Sequence, residues 1–124
     1  MKRRLRVVLA AFGLATVLAA CTPAEMGLFF AVTEPTRHVL SNEQLARLRS
    51  CESGGNYSIV SPSGRYRGAY QFSRSTWDSV AGRHYPIMRG VDPAAAPWYW
   101  QDAMARALFS ERGRSPWPVC GQRI

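Results

Sequence analysis

The chain has only two histidines, His38 and His84, and no C-x-x-C pair, so a metal centre has few ligands to draw on. It has no apolar run long enough to cross a bilayer. The longest, Val7 to Leu18, falls short of the roughly 20 residues that a spanning helix needs. No internal repeat or low-complexity segment is present, which sets aside solenoids and repeat arrays. Acids are scarce, at 8 against 16 basic residues.

The opening MKRRLR places four cations ahead of the apolar run, the pattern of a signal peptide over residues 1–20. Leu18-Ala19-Ala20-Cys21 resembles a bacterial lipobox, in which cleavage before the cysteine frees its thiol for lipidation. An ordinary cleavage site among small residues is the alternative, and either reading exports the chain. Losing residues 1–20 leaves 12 arginines against 8 acids, a balance of +4. That charge suits an anionic partner such as the cell wall, or simply a soluble surface, and argues against nucleic acid. Three cysteines in an oxidising compartment suggest one bond and one cysteine with another task. If Cys21 carries lipid, Cys51 and Cys120 are left to pair.

About one hundred residues then remain, enough for one small domain. Residues 21–40 lack a sustained period and read as a tether, with Leu28, Phe29 and Phe30 either on the membrane surface or packed on the domain. The folded part, 41–124, opens on Ser41-Asn42-Glu43-Gln44, a capping box. It predicts a helix over 42–52 with Leu45, Leu48 and Cys51 on one stripe, stopped by Gly54-Gly55. Residues 57–72 read as a hairpin or irregular extended loop, broken at Ser61-Pro62-Ser63-Gly64. Ser73 caps a short helix expected to end at Gly82. A last helix is expected from near Pro97 to Arg112, with Asp102 and Arg106 as an i, i+4 pair.

Cys51-Glu52-Ser53-Gly54-Gly55-Asn56-Tyr57 is the window that carries chemistry. It puts a carboxylate in the last turn of a helix, where the partial negative charge of the C-terminus and burial both favour the protonated form. A protonated carboxyl can supply the proton that a leaving glycosidic oxygen needs. The bland reading of Glu52, a solvated helix end, has equal weight on this window alone.

Arg49 to Tyr57, then Gly68-Ala69-Tyr70-Gln71-Phe72, Ser75-Thr76-Trp77 and Ser115-Pro116-Trp117-Pro118-Val119-Cys120-Gly121, resemble in order and spacing the resuscitation-promoting factor domain of actinobacteria. The resemblance covers residues 41–121. It implies an α+β, lysozyme-like domain, mostly helical with a short hairpin or irregular β region and one disulfide, Cys51 to Cys120. It implies Glu52 as the single catalytic acid, and Thr76 and Gln101 on a sugar-binding cleft. Asn56, Tyr70, Gln71 and Trp77 fall within the motifs as further substrate-binding candidates. Three departures stand out: Tyr57 where tryptophan is usual, a Ser61 to Tyr66 turn about one residue longer, and Ala94 to Trp100 lengthening the approach to the last helix. Trp98 and Trp100 there are candidates for an added sugar-stacking surface or for core packing.

The resulting expectation is a peptidoglycan glycosidase or lytic transglycosylase cutting the β-1,4 bond between N-acetylmuramic acid and N-acetylglucosamine, without metal or cofactor. It would be exported, monomeric, and held through Cys21 at the outer face of the cytoplasmic membrane or released to the wall, with another cell-wall hydrolase as a candidate partner. The alternatives are a non-catalytic peptidoglycan-binding lipoprotein and a purely structural one.

Overall fold

The computed structural model of the protein describes residues 22–124. The signal-peptide reading and Cys21 lie outside them. Four helices form the domain: α1 (Pro23–Thr33), α2 (Asn42–Ser53), α3 (Arg74–His84) and α4 (Trp98–Arg112). Single 3-10 turns follow at Glu34–Thr36, Pro86–Met88 and Cys120–Arg123.

Local chemistry accounts for the helix ends. The Ser41 hydroxyl accepts from the Gln44 amide at 3.1 Å while Gln44 Oε1 accepts from the Ser41 amide at 2.9 Å, closing the expected capping box. Gly54, at φ 66°, takes the left-handed conformation and donates its amide back to the carbonyls of Arg49 and Ser50. Ser73 caps α3 through the Thr76 amide. α3 runs through Gly82, where a stop was expected, to His84. The terminator is Pro86: a residue before proline is driven out of the helical region, and Tyr85 sits at φ −140°, ψ 73°.

Residues 57–72 make no strand. Two isolated bridges, Val60 to Arg67 and Arg67 to Phe72, are its only β pairing. The segment is a tight loop held by backbone hydrogen bonds, such as Ser61 to Tyr66 and Gly68 to Ile59, and by side chains from outside it.

The stretch read as a tether is the main departure from expectation. Thr22 and Glu25 close a second capping box, and α1 follows it. The segment packs on the domain: the Phe29 ring stands edge-on to Tyr99 at 5.0 Å and Trp100 at 4.9 Å between centroids, and the Thr36 and Tyr85 hydroxyls share a hydrogen bond of 2.8 Å. α1 is apolar on nearly every side, so it shows no amphipathic period, and period was the signal sought.

The core gathers Leu45 and Leu48 of α2, Trp77 and Val80 of α3, Met104 and Leu108 of α4, Tyr70 and Phe72 of the loop, and Trp117 of the tail. Both fully enclosed indoles donate to backbone oxygens, Trp77 to Met88 at 2.9 Å and Trp117 to Tyr70 at 3.0 Å, so their burial leaves no polar atom stranded.

Cys51 and Cys120 form a disulfide with Cα atoms 5.7 Å apart, fastening α2 to the C-terminal turn. The bond spans a sequence separation of 69 residues. In the chain-entropy account a loop of that order is worth about 4 kcal/mol, a large share of the stability of so small a domain. Reduction, or Cys51→Ser with Cys120→Ser, should lower the melting temperature by well over 10 °C in calorimetry; a shift of a degree or two would show that packing alone holds the tail.

Candidate active site

Glu52 lies in the last turn of α2, half-buried, and makes no hydrogen bond or ion pair with any described residue. Burial pushes its carboxyl above the usual glutamate range. The two residues after Ser53, Gly54 and Gly55, are exposed and hold positive φ of 66° and 81°, so the backbone beside the carboxyl turns away without a side chain over it.

Six of the other seven acids hold a hydrogen bond or ion pair, and the seventh, Glu43, is exposed in the first turn of α2. Glu25 caps Thr22 and Glu34 pairs with Arg37. Asp78 accepts from the Gly90 amide, and Glu111 holds Arg83 and His84. Asp92 takes the Arg67 guanidinium with both oxygens at 2.6 Å, and these bonds hold its carboxyl down to about 2. Asp102 accepts from the hydroxyls of Tyr70 at 2.6 Å and Tyr57 at 2.8 Å. The i, i+4 pair expected with Arg106 does not form, because Arg106 instead donates to the Leu40 carbonyl and Asn42 Oδ1.

That Tyr57, Tyr70, Asp102 cluster, with Arg49 donating to the Tyr70 hydroxyl at 3.4 Å, was not foreseen. Burial, and then the hydrogen bond to Asp102, push the Tyr57 phenol up to about 12. Its one sequence signal was the tyrosine at position 57 itself, a residue that brings a hydroxyl where an indole would bring none.

A groove of about 360 Å³ runs between the loop, α3 and the tail, lined by Gln71, Ser73, Thr76, Arg112, Trp117 and Pro118 among others. No acid lines it. Glu52 is not on its wall, but the preceding Cys51 is bonded to Cys120, two residues beyond Pro118. A larger cavity of about 670 Å³ opens between α1 and the N-terminal ends of α2 and α4, and Glu52 does not line it either.

The residues singled out by sequence divide into three kinds. Thr76 is half-buried on the groove, its hydroxyl accepting from Ser73 at 3.0 Å, and Gln71 shares that groove while donating to the Gly68 carbonyl from a backbone at φ 54°. Asn56 is exposed and caps its own turn through the Ser58 amide. Trp77 and Tyr70 are core residues, at 0% and 1% exposure.

Gln101, expected on the cleft wall, is 2% exposed. Its Oε1 accepts from the Ala69 amide at 2.9 Å, and its Nε2 donates to the carbonyls of Tyr57 at 3.0 Å and Ala96 at 2.9 Å. Its amide carries no free hydrogen and faces backbone on both sides. Trp100 is core at 8% exposure, whereas Trp98 is exposed.

Comparison with known proteins agrees with this architecture. The sequence model of the transglycosylase-like domain matches residues 39–120, most of the described chain. The chain belongs to the transglycosylase-like domain family. Relatives include the probable transglycosylase SceD of Staphylococcus haemolyticus (strain JCSC1435) and that of Staphylococcus aureus (strain MRSA252), each 45% identical over 76 residues and 61% of this chain. The probable transglycosylase SceD 3 of Staphylococcus saprophyticus is equally similar. The chain spans about a third of the length of these relatives, 31% or 32% of each. The family span covers α2 to the disulfide and leaves α1 outside.

Gln101→Ala should cost about 2–4 kcal/mol of stability, because it removes the buried partners of three backbone groups and leaves a cavity. The drop should appear in thermal unfolding. An unchanged melting temperature with weakened glycan binding would return Gln101 to the substrate.

Proposed function

We propose that the protein cleaves the glycan strands of peptidoglycan at the β-1,4 bond between N-acetylmuramic acid and N-acetylglucosamine, with Glu52 as its single catalytic acid. The observation that carries this reading is the isolation of Glu52: among the 8 acids of the chain it alone is half-buried and without a donor. An unpaired, partly desolvated carboxyl holds its proton closer to neutral pH and can release it to a developing leaving group.

The chemistry follows from having one acid. Glu52 protonates the glycosidic oxygen as the bond to the anomeric carbon breaks, and positive charge builds on the muramic ring. With no second half-buried carboxylate free to activate water, the C6 hydroxyl of the same muramic residue attacks the anomeric carbon and passes its proton to the Glu52 carboxylate. The products are a 1,6-anhydromuramic end and a new N-acetylglucosamine end, and Glu52 is restored. Thr76 and Gln71, on the groove, hold sugar hydroxyl or acetamido groups by hydrogen bonds. Asn56 is exposed close to Glu52 in sequence and serves the same purpose. Gln101, Tyr70 and Trp77 support the site from beneath.

The reading places the protein outside the cytoplasmic membrane as a monomer, held by lipid on Cys21, which intact-mass measurement of envelope-purified protein checks. No described helix is long and apolar enough to cross a membrane.

Glu52→Gln should abolish clearing of a cell-wall suspension, while Thr76→Ala keeps the chemistry and weakens glycan binding by roughly 1–2 kcal/mol. Because the Glu52 pKa is raised in the folded state, ionising it opposes folding, so Glu52→Gln should be at least as stable as the parent at pH above the ordinary glutamate pKa. The same sign makes activity fall as pH rises through the Glu52 pKa. Mass spectrometry of the digest should find anhydro ends; reducing ends would mean hydrolysis, and binding without any cleavage would mean a peptidoglycan-binding module.

A further inference from the structure

We propose that the outer face of α1, together with Trp98, docks the domain on the phospholipid bilayer. The inference rests on the export reading above but not on the catalytic one.

Two features meet at this face: α1, which precedes the matched span of residues 39–120, and Trp98-Tyr99-Trp100, the first turn of α4. They pack on each other through Phe29, whose ring stands against Tyr99 and Trp100. Phe30 and Trp98 both line the cavity between α1 and the N-terminal ends of α2 and α4.

Apart from Glu25, the exposed residues of α1 carry no polar side chain. Ala24, Gly27, Leu28, Phe30, Ala31 and Val32 are all exposed, Leu28 at 54% and Phe30 at 49%. The one charge in the helix, Glu25, is drawn to its N-terminus by Thr22. Water is a poor partner for such a surface, whereas a helix lying in the headgroup region buries it. Trp98 is 61% exposed while the other three tryptophans are at 8% or less. An indole beside an apolar helix suits the bilayer interface, where its ring is buried and its N–H stays hydrated.

The start of the chain favours a bilayer over a second copy. The cap of α1 is Thr22, the residue directly after Cys21. A lipid on Cys21 leaves no spacer, so the helix begins at the membrane surface and its apolar arc is presented there at high effective concentration. The balance of +4 after residue 20 adds attraction to anionic headgroups.

The test uses protein purified from the envelope and reconstituted into phosphatidylglycerol vesicles whose acyl chains carry bromine, a short-range quencher of tryptophan. Fluorescence should be quenched, and the quenched component should vanish in Trp98→Phe. Leu28→Glu combined with Phe30→Glu should also abolish it, with unchanged melting temperature and unchanged clearing of isolated sacculi. Should that double variant be destabilised, Trp98→Phe decides alone. Absence of quenching, or quenching that survives Trp98→Phe, overturns the proposal. So does a dimer in light scattering that the double variant converts to monomer. Failure of the catalytic reading would show in sacculus clearing and leave the quenching untouched.

Discussion

The Gln101 side chain is the constraint on which the site depends. A domain without strands must hold its longest loop by other means, and here one amide on α4 binds three separate pieces of backbone, at Tyr57, Ala69 and Ala96. The approach is close enough to fix a neighbour's identity. Gly68 has φ 79°, and a Cβ there would come within 2.5 Å of Gln101 Oε1 and 3.0 Å of the Pro93 carbonyl, so only glycine fits. Replacing the amide by a carboxylate would put like dipoles face to face at two carbonyls and bury an unpaired charge.

With the loop so fixed, polar groups around it fall into closed sets. Tyr57 and Tyr70 both donate to Asp102, and Arg67 bridges the loop to Asp92 with two charge-assisted bonds. These sets satisfy the buried side-chain atoms among the described residues. They also remove candidate acids from circulation. Asp102 belongs to a pair of phenols and Asp92 to a guanidinium, and either would have to break that arrangement to act as a base. Isolation of Glu52 is therefore a consequence of how well the other acids are used, not only of its own surroundings.

Legibility from sequence followed the range of the interaction. Caps act over three or four residues, and Ser41, Gly54 and Ser73 were readable because each signal is local. The disulfide and the helical class followed from the motif resemblance. Gln101 was readable as an important position, but its amide suits a sugar and a peptide equally, and only tertiary packing turns it to the backbone of Tyr57, Ala69 and Ala96. Asp102 was given to Arg106 for the same reason: an i, i+4 rule competes with phenols 45 and 32 residues away and loses to shorter, better buried bonds. α1 escaped a search for period because its outer arc is as apolar as its inner one.

That last failure is informative about the molecule. A helix of an isolated water-soluble domain gains by turning polar residues outward, since its inner stripe alone pays the entropy of ordering it. α1 does not do so, although the rest of the surface is rich in arginine. Its inner side is satisfied by Phe29 against Tyr99 and Trp100, and Phe30 packs on Phe29 beside the cavity, so packing on the domain leaves Leu28 and Val32 unaccounted for. The composition of the helix suits two apolar neighbours, one the domain and the other the bilayer proposed above. On that geometry the bilayer holds α1 and the N-terminal end of α4 from one side. Glu52 stands at the opposite end of α2 from its Ser41 cap, and Ser41 lines the cavity that opens beside α1. A helix of 12 residues is about 18 Å long, so Glu52 lies roughly one helix length from the cap that borders the cavity.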